Sequence, residues 1–161
     1  MWSHQSTYAI GGLENVGYFD NGDKLLVLSS QGLGVIDCFA GTKVFRSEED
    51  WWPLFVMETS TLRLIPGYSD STVKVFGLHN DTGLFPKTFE NWQLSISEPR
   101  ADDPPFQHYT IQEVCLEDVN SLKKFVIAKD GPCEFRAFGF SDSGKSLFAA
   151  SSCELVVWKR D

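Results

Sequence analysis

A hairpin pattern occurs near each end of this chain and limits its possible folds more than any other sequence feature. Residues 19–38 read FDNGDKLLVLSSQGLGVIDC, and residues 140–159 read FSDSGKSLFAASSCELVVWK. The two segments align without a gap. Each has a polar turn with a glycine, an apolar run, a small polar turn and a second apolar run, which is typical of a β-hairpin. The chain is therefore predicted to contain two equivalent hairpins.

The alignment also predicts strand pairing and part of the core. Lys24–Ser30 is expected to pair with Leu33–Phe39, and Ser146–Ser151 with Glu154–Lys159. Apolar residues that recur at equivalent places in both copies are expected to be buried. They are Phe19, Leu26, Val35, Phe140, Leu147 and Val156.

Short apolar runs bounded by turns continue through most of the chain and predict a single all-β domain over residues 1–161. Helical turns are expected only at Trp51–Ser60 and Ser121–Phe125, a turn at Asn80–Gly83 and an exposed loop at Ser97–Gln107. The other candidate strands are Asn15–Phe19, Lys43–Arg46, Leu62–Ile65, Thr72–Leu78, Trp92–Ser97, Tyr109–Leu116, Lys124–Ala128 and Phe135–Phe140.

The charge balance indicates which partners the protein can have. Against 14 basic side chains there are 22 acidic ones, and the formal net charge is −8. Such a surface repels nucleic-acid phosphates and anionic membranes, so neither is an expected partner, and it favours a basic protein. No apolar run approaches the roughly 18 residues of a membrane span. The start, MWSHQSTYAIGG, lacks the pattern of a signal peptide, so a cytoplasmic location is expected.

The cysteines and histidines show no metal-site or disulfide spacing. Cys38, Cys115, Cys133 and Cys153 lie far apart, which argues against a zinc knuckle or a disulfide-rich secreted domain. Cys38 and Cys153 lie in predicted apolar strands, where a cysteine usually acts as a small buried hydrophobe. The histidines, His4, His79 and His108, are equally dispersed. No metal or other cofactor is expected.

One segment matches a nucleotide-binding motif. Gly139–Ser146 fits the phosphate-loop pattern G-x-x-x-x-G-K-S, in which the loop is followed directly by a helix. Here the following residues, LFAASSCELVV, fit a strand, a turn and a second strand better than a helix. The segment is therefore interpreted as a hairpin turn. With no other enzyme signature in the sequence, the protein is not expected to be an enzyme.

Acidic residues beside tryptophans form the best candidate for a binding segment. Glu48, Glu49 and Asp50 precede Trp51 and Trp52. Acids steer a cationic partner, and tryptophan supplies the large apolar contact common at interface hot spots. The alternative is a solvated loop whose tryptophans pack into the core. A weaker candidate is the pair Asp102 and Asp103 in the proline-containing loop.

Residues 17–46, GYFDNGDKLLVLSSQGLGVIDCFAGTKVFR, resemble a blade of a WD40-type β-propeller. Asp37 and Ala40-Gly41-Thr42-Lys43 keep the characteristic end of the blade, and the second copy has its tryptophan, Trp158. The blade-like units are expected at about residues 15–46 and 134–160. A closed propeller needs at least about four blades, and the middle of the chain lacks the pattern. The resemblance therefore implies antiparallel blade-like sheets packed as a sandwich or incomplete β-propeller.

The chain also resembles small bacterial immunity proteins of contact-dependent and other polymorphic toxin systems. Three stretches carry this resemblance: Gly32–Arg46, Val75–Trp92 and Phe135–Ser146. It implies a protein that binds a cognate toxin domain, often a basic nuclease acting on tRNA, other RNA or DNA, and blocks its active site or substrate path. It implies no catalytic residue. The alternative function is a WD40-like scaffold module for protein interactions.

Overall fold

The computed structural model describes residues 1–79, 85–101, 104–105 and 109–161, without the side chain of Asn21. This part of the chain consists of strands, turns and loops, with single-turn 3-10 helices at Asp20–Gly22 and Trp52–Leu54. The prediction of an all-β, antiparallel fold is confirmed. No helix within the described ranges is long and apolar enough to span a membrane.

Seventeen strands lie in the described residues. In chain order they are β1 (Trp2–Ala9), β2 (Leu13–Phe19), β3 (Lys24–Ser29), β4 (Gly32–Asp37), β5 (Thr42–Ser47), β6 (Phe55–Val56), β7 (Thr61–Leu62), β8 (Val73–Lys74), β9 (Phe76–Gly77), β10 (Thr88–Phe89), β11 (Trp92–Ile96), β12 (Arg100–Ala101), β13 (Thr110–Asp118), β14 (Lys123–Asp130), β15 (Phe135–Phe140), β16 (Ser146–Ser151) and β17 (Glu154–Arg160).

In the described part of the chain these strands form four antiparallel sheets. Two of them contain the predicted hairpins, with orders β5-β4-β3-β2-β9 and β1-β17-β16-β15. A third has the order β10-β11-β13-β14, with the short β12 also paired to β13, and the fourth is β6-β7-β8. Both predicted hairpin pairings, β3 with β4 and β16 with β17, are confirmed.

The N-terminal strand completes the sheet of the second hairpin. β1 pairs with β17 along its length, from Trp2 opposite Arg160 to Ala9 opposite Glu154. The sequence did not predict this strand, because WSHQSTYA is mostly polar and its partner lies at the other end of the chain. Its one large buried side chain, Trp2, packs against Trp92 and Phe140. The first and last strands therefore share one sheet.

The side chains between the sheets form three hydrophobic clusters. All six recurring hairpin residues are buried, which confirms the prediction from the alignment. Four of them are fully buried, and Phe19 and Val156 are 7% exposed. The larger residues of both hairpins thus stabilise the protein by removing apolar surface from water.

The glycine-containing turns that precede β3 and β16 are joined by a polar contact. Oδ1 of Asp23 accepts hydrogen bonds from the hydroxyls of Ser143 at 2.8 Å and Ser146 at 3.1 Å. Gly144 has φ +67°, and a Cβ there would overlap the ring of Phe89. The phosphate-loop pattern therefore folds as the end of β15, a tight turn and β16, as the sequence interpretation predicted. Gly144 is required by the positive φ of the turn and by the close packing of Phe89.

Several local predictions differ from the structure. Ser121–Phe125 is not helical, because Lys123–Asp130 forms β14 against β13. The proline-containing loop holds a short strand, Arg100–Ala101, on the other edge of β13. The expected helical turn near Trp51 is present, but it covers only Trp52–Leu54. The predicted turn at 80–83 lies outside the described residues.

The cysteines also differ from expectation. Cys133 and Cys153 form a disulfide, so Cys153 is not a free buried hydrophobe, and it lies in the turn before β17. The sequence could not show this pair because the two residues are brought together only when the β14–β15 connection meets the β16–β17 turn. Cys38 and Cys115 are free and buried, and Cys38 follows directly after β4.

A candidate acidic binding groove

The segment after β5 is held in a defined turn. The backbone N–H of Glu49 donates to the hydroxyl of Ser47 at 3.1 Å, and that of Trp52 donates to Oδ1 of Asp50 at 3.0 Å. Such side-chain bonds to the nearby backbone are typical of Ser and Asp in turns. The side chains of Glu48, Glu49 and Asp50 are exposed. Their charges are therefore exposed to solvent while the backbone is held in place. Residues 48–50 are called the acidic turn below.

The first tryptophan of this segment belongs to the core. Trp51 is 5% exposed and packs in the same cluster as Leu28, Leu33 and Val75. Its Nε1 donates a hydrogen bond to the backbone carbonyl of Ser29 at 2.9 Å. A buried tryptophan with a satisfied N–H anchors its segment firmly. Trp51 therefore ties the acidic turn to the β3–β4 hairpin and is not itself an accessible contact.

The second tryptophan remains accessible. Trp52 is 46% exposed. Its ring centroid lies 5.1 Å from that of His79, 5.6 Å from Phe55 and 5.7 Å from Trp51. These four side chains are called the aromatic cluster below. Because three rings support it, Trp52 is oriented before any partner arrives.

An ion-pair geometry connects the aromatic cluster to β2. Nε2 of His79 lies 2.8 Å from Oε2 of Glu14, and both side chains are only about a quarter exposed, at 24% and 22%. The contact joins the segment after β9 to β2, the strand with which β9 pairs. It places a fourth carboxylate beside the acidic turn.

The acidic turn, the two tryptophans, Glu14 and the β3–β4 turn line an open groove of about 620 Å³. It is called the acidic groove below, and its lining consists of Glu14, Ser29, Ser30, Gln31, Gly32, Arg46, Glu48, Glu49, Asp50, Trp51 and Trp52. Four carboxylates face one guanidinium in this lining. Arg46 lies 4.0 Å from Glu48 with both side chains largely exposed, so their attraction is weak. The groove therefore has a net negative charge beside an exposed aromatic ring.

The structure thus brings together the main residues selected from the sequence and adds others. Glu48, Glu49, Asp50 and Trp52 line the groove from its accessible side. Glu14 and the β3–β4 turn were missed, because they are 15 or more positions away and carry no local signal. Asp102 and Asp103 lie outside the described residues.

The chemistry available in the groove is recognition of a cation. Carboxylates bind ammonium or guanidinium groups, and a tryptophan face attracts the same groups through its π electrons. Three potential metal-ligand atoms lie close together outside the groove, and two of them are the sulfurs of the Cys133–Cys153 disulfide. Among the described residues, the group of three potential ligands close enough to hold one ion is Asp130, Cys133 and Cys153.

Comparisons with protein-family models, with curated proteins and with solved structures found no match for this chain. The acidic groove and the sequence motifs are therefore the basis for a functional proposal.

Proposed function

We propose that this chain is an immunity protein that binds a basic bacterial toxin domain through the acidic groove. The toxin domain is a nuclease, and binding blocks its active site or the path of its substrate. The observation that carries the proposal is the position of the exposed Trp52 beside the carboxylates of Glu48, Glu49 and Asp50.

Charge complementarity supports this partner. Nuclease surfaces that hold RNA or DNA are basic, because they bind phosphates. A protein with net charge −8 and a negative groove occupies such a surface in place of the nucleic acid. Long-range attraction also raises the rate of encounter, and rapid capture suits a protein that must reach the toxin before its substrate does.

The rigid setting of Trp52 supports a durable complex. Its ring is held by the aromatic cluster, so binding costs little side-chain entropy. A lysine or arginine of the partner can contact the exposed part of the Trp52 ring while the charge of that residue meets the carboxylates of the acidic turn. This arrangement combines an apolar anchor with a charge pair at one place.

The proposal also includes the setting in which the protein acts. It acts in the bacterial cytoplasm, where an incoming nuclease finds its substrate. Its action is stoichiometric binding, so it needs no catalytic residue and no cofactor. It makes no direct contact with nucleic acid or membrane, since its charge disfavours both.

A scaffold module is the second candidate function. The two hairpin units form blade-like sheets, and propeller blades commonly serve as platforms for protein contacts. Under this alternative the groove binds a basic segment of an ordinary cellular protein. The neighbouring gene distinguishes the two: a large secreted protein with a variable C-terminal domain, encoded directly upstream, favours immunity.

Co-expression with that C-terminal domain tests the proposal. We expect the wild-type chain to restore growth and to co-purify with the domain in equal amounts. The triple variant Glu48→Lys, Glu49→Lys, Asp50→Lys should lose both. A matched control with the same charge change at exposed acids outside the groove, Glu58→Lys, Asp70→Lys, Glu98→Lys, should keep both. Failure of the wild-type chain to protect would overturn the proposal.

A further inference from the structure

Three donor groups converge where the β14–β15 connection meets the β16–β17 turn. Asp130 ends β14, Cys133 follows it, and Cys153 lies in the turn between β16 and β17. The donor atoms of the three side chains lie within 4.8 Å of one another, and all three residues are half-buried. Oδ2 of Asp130 is 3.8 Å from Sγ of Cys153. Two sulfurs and a carboxylate oxygen therefore share one partly accessible place.

The carboxylate is oriented by its own turn. Oδ1 of Asp130 accepts hydrogen bonds from the backbone N–H of Gly131 at 2.8 Å and of Cys133 at 3.2 Å. These bonds leave Oδ2 directed toward Cys153. A ligand held by hydrogen bonds from the surrounding chain is the usual arrangement in protein metal sites.

The segments that carry the two cysteines are held in place by backbone hydrogen bonds that do not involve sulfur. The N–H of Ser152 donates to the carbonyl of Glu134 at 2.8 Å, and that of Ile10 donates to the carbonyl of Cys153 at 2.8 Å. The Cα atoms of the two cysteines are 6.2 Å apart. Opening the disulfide would therefore leave the two thiols facing each other across the same short gap.

We propose that in its dithiol form this cluster is a zinc site, with Cys133, Cys153 and Asp130 as protein ligands and water in the fourth position. Thiolates favour soft or borderline ions, and the carboxylate favours Zn²⁺ over Cu⁺. A tetrahedral ion with zinc–sulfur bonds of about 2.3 Å needs ligand atoms about 3.5–3.8 Å apart. The sulfur–oxygen distance already lies at this value, and small rotations of the cysteine side chains separate the sulfurs.

The disulfide and the zinc site exclude each other. Reduction by a small thiol or dithiol transfers two electrons and two protons to the pair, giving two cysteine thiols and the oxidised reductant. Zinc then displaces the two thiol protons, since it binds the thiolates. The cytoplasm of the proposed function is reducing and favours the dithiol form. Metal binding itself does not rest on that function.

Titration with Co²⁺ and Zn²⁺ tests the site on the purified chain. The protein is reduced, freed of reductant without oxygen, and titrated with Co²⁺. We expect one ion per chain, a near-ultraviolet thiolate-to-cobalt charge-transfer band and the visible bands of tetrahedral cobalt. Zn²⁺ should displace the cobalt. The same protein in its disulfide form should give none of these bands, which is a control without any substitution.

Variants then assign the ligands. Cys133→Ser and Cys153→Ser should each remove most of the charge-transfer intensity. Asp130→Asn should weaken cobalt affinity roughly tenfold or more, because even residues that only support a ligand change metal affinity by about that factor. Glu134→Gln, a neighbouring carboxylate that is 85% exposed and paired with Arg136, should bind as wild type. Far-UV circular dichroism checks that each variant is folded.

Two results would overturn the proposal. One is a reduced wild-type protein that gives no charge-transfer band with Co²⁺. The other is an Asp130→Asn variant whose cobalt affinity equals that of wild type, since the site would then lack its third ligand. Neither result bears on toxin binding, which is measured separately.

Discussion

Cys38 is fully buried next to Tyr18 and illustrates how one side chain can make stability depend on pH. Burial raises the pKa of the Cys38 thiol well above its usual range, and the nearby carboxylates of Asp23 and Asp37 act in the same direction. Burial raises the pKa of the Tyr18 hydroxyl as well. An unfolded thiol ionises near pH 8.5. Above that pH the unfolded chain binds fewer protons than the folded one, so stability falls as pH rises.

We predict that Cys38→Ala flattens this alkaline loss of stability. For wild type, the free energy of unfolding should fall between about pH 8 and pH 10, with a contribution from Cys38 approaching 1.4 kcal/mol per pH unit. The variant should be less stable at neutral pH but should lose less on alkalisation. Urea unfolding at pH 7, 8, 9 and 10 measures both slopes. Equal slopes would mean that Cys38 ionises as readily in the folded protein as in the unfolded chain.

The two hairpins are the elements that the sequence predicted best. Each combines a local turn signal with strands that pair directly through that turn, so all the information lies within about twenty residues. Their equivalence also makes a stability prediction possible. Leu26 and Leu147 occupy matching positions in β3 and β16, and both are fully buried.

Leu26→Ala and Leu147→Ala should each lower the free energy of unfolding by about 2–5 kcal/mol, the usual cost of removing a buried leucine. The matched control is Leu122→Ala, because Leu122 is 75% exposed and its loss should cost little. Urea unfolding of the three variants gives the comparison. A small shift for either buried leucine would show that its hairpin contributes little to the core.

Elements that depend on distant partners were not predictable. β1 has little apolar periodicity. It forms a strand because it pairs with the edge strand β17, which lies about 150 residues later in the chain. β14 was partly misread as a helical turn, since its first residues are exposed lysines. The Cys133–Cys153 pair likewise depends on two connections meeting. For β1 the missing information was a contact between segments remote in sequence. β14 instead pairs with the neighbouring strand β13, and the sequence predicted it from Lys124 onward but not at its start.

At the level of the fold, the sequence predicted all-β architecture but not how the sheets assemble around the groove. Composition and strand spacing were enough for the fold class. The lining of the acidic groove also includes Glu14 from β2 and Ser29–Gly32 around the β3–β4 turn, and His79 after β9 contacts both Glu14 and Trp52. Residues 48–52 of this lining are contiguous in sequence and could be recognised there. The other lining residues are brought to the groove by tertiary packing, which the hydrophobic periodicity of the sequence does not show.

Under the proposed function, the acidic turn and the exposed Trp52 should affect different rate constants of toxin binding. Reversing Glu48, Glu49 and Asp50 to lysine should lower the association rate constant by roughly tenfold or more at low salt, and by less at high salt, because screening weakens the same attraction. Trp52→Ala should mainly raise the dissociation rate constant, by about tenfold for each 1.4 kcal/mol of lost contact. Phe39→Ala is the matched control, since Phe39 is equally exposed at 47% but lies outside the groove. Surface plasmon resonance against the co-expressed toxin domain at two salt concentrations measures the association and dissociation rate constants of wild type and of each variant. If both groove variants bind with wild-type rates, the toxin docks on another face.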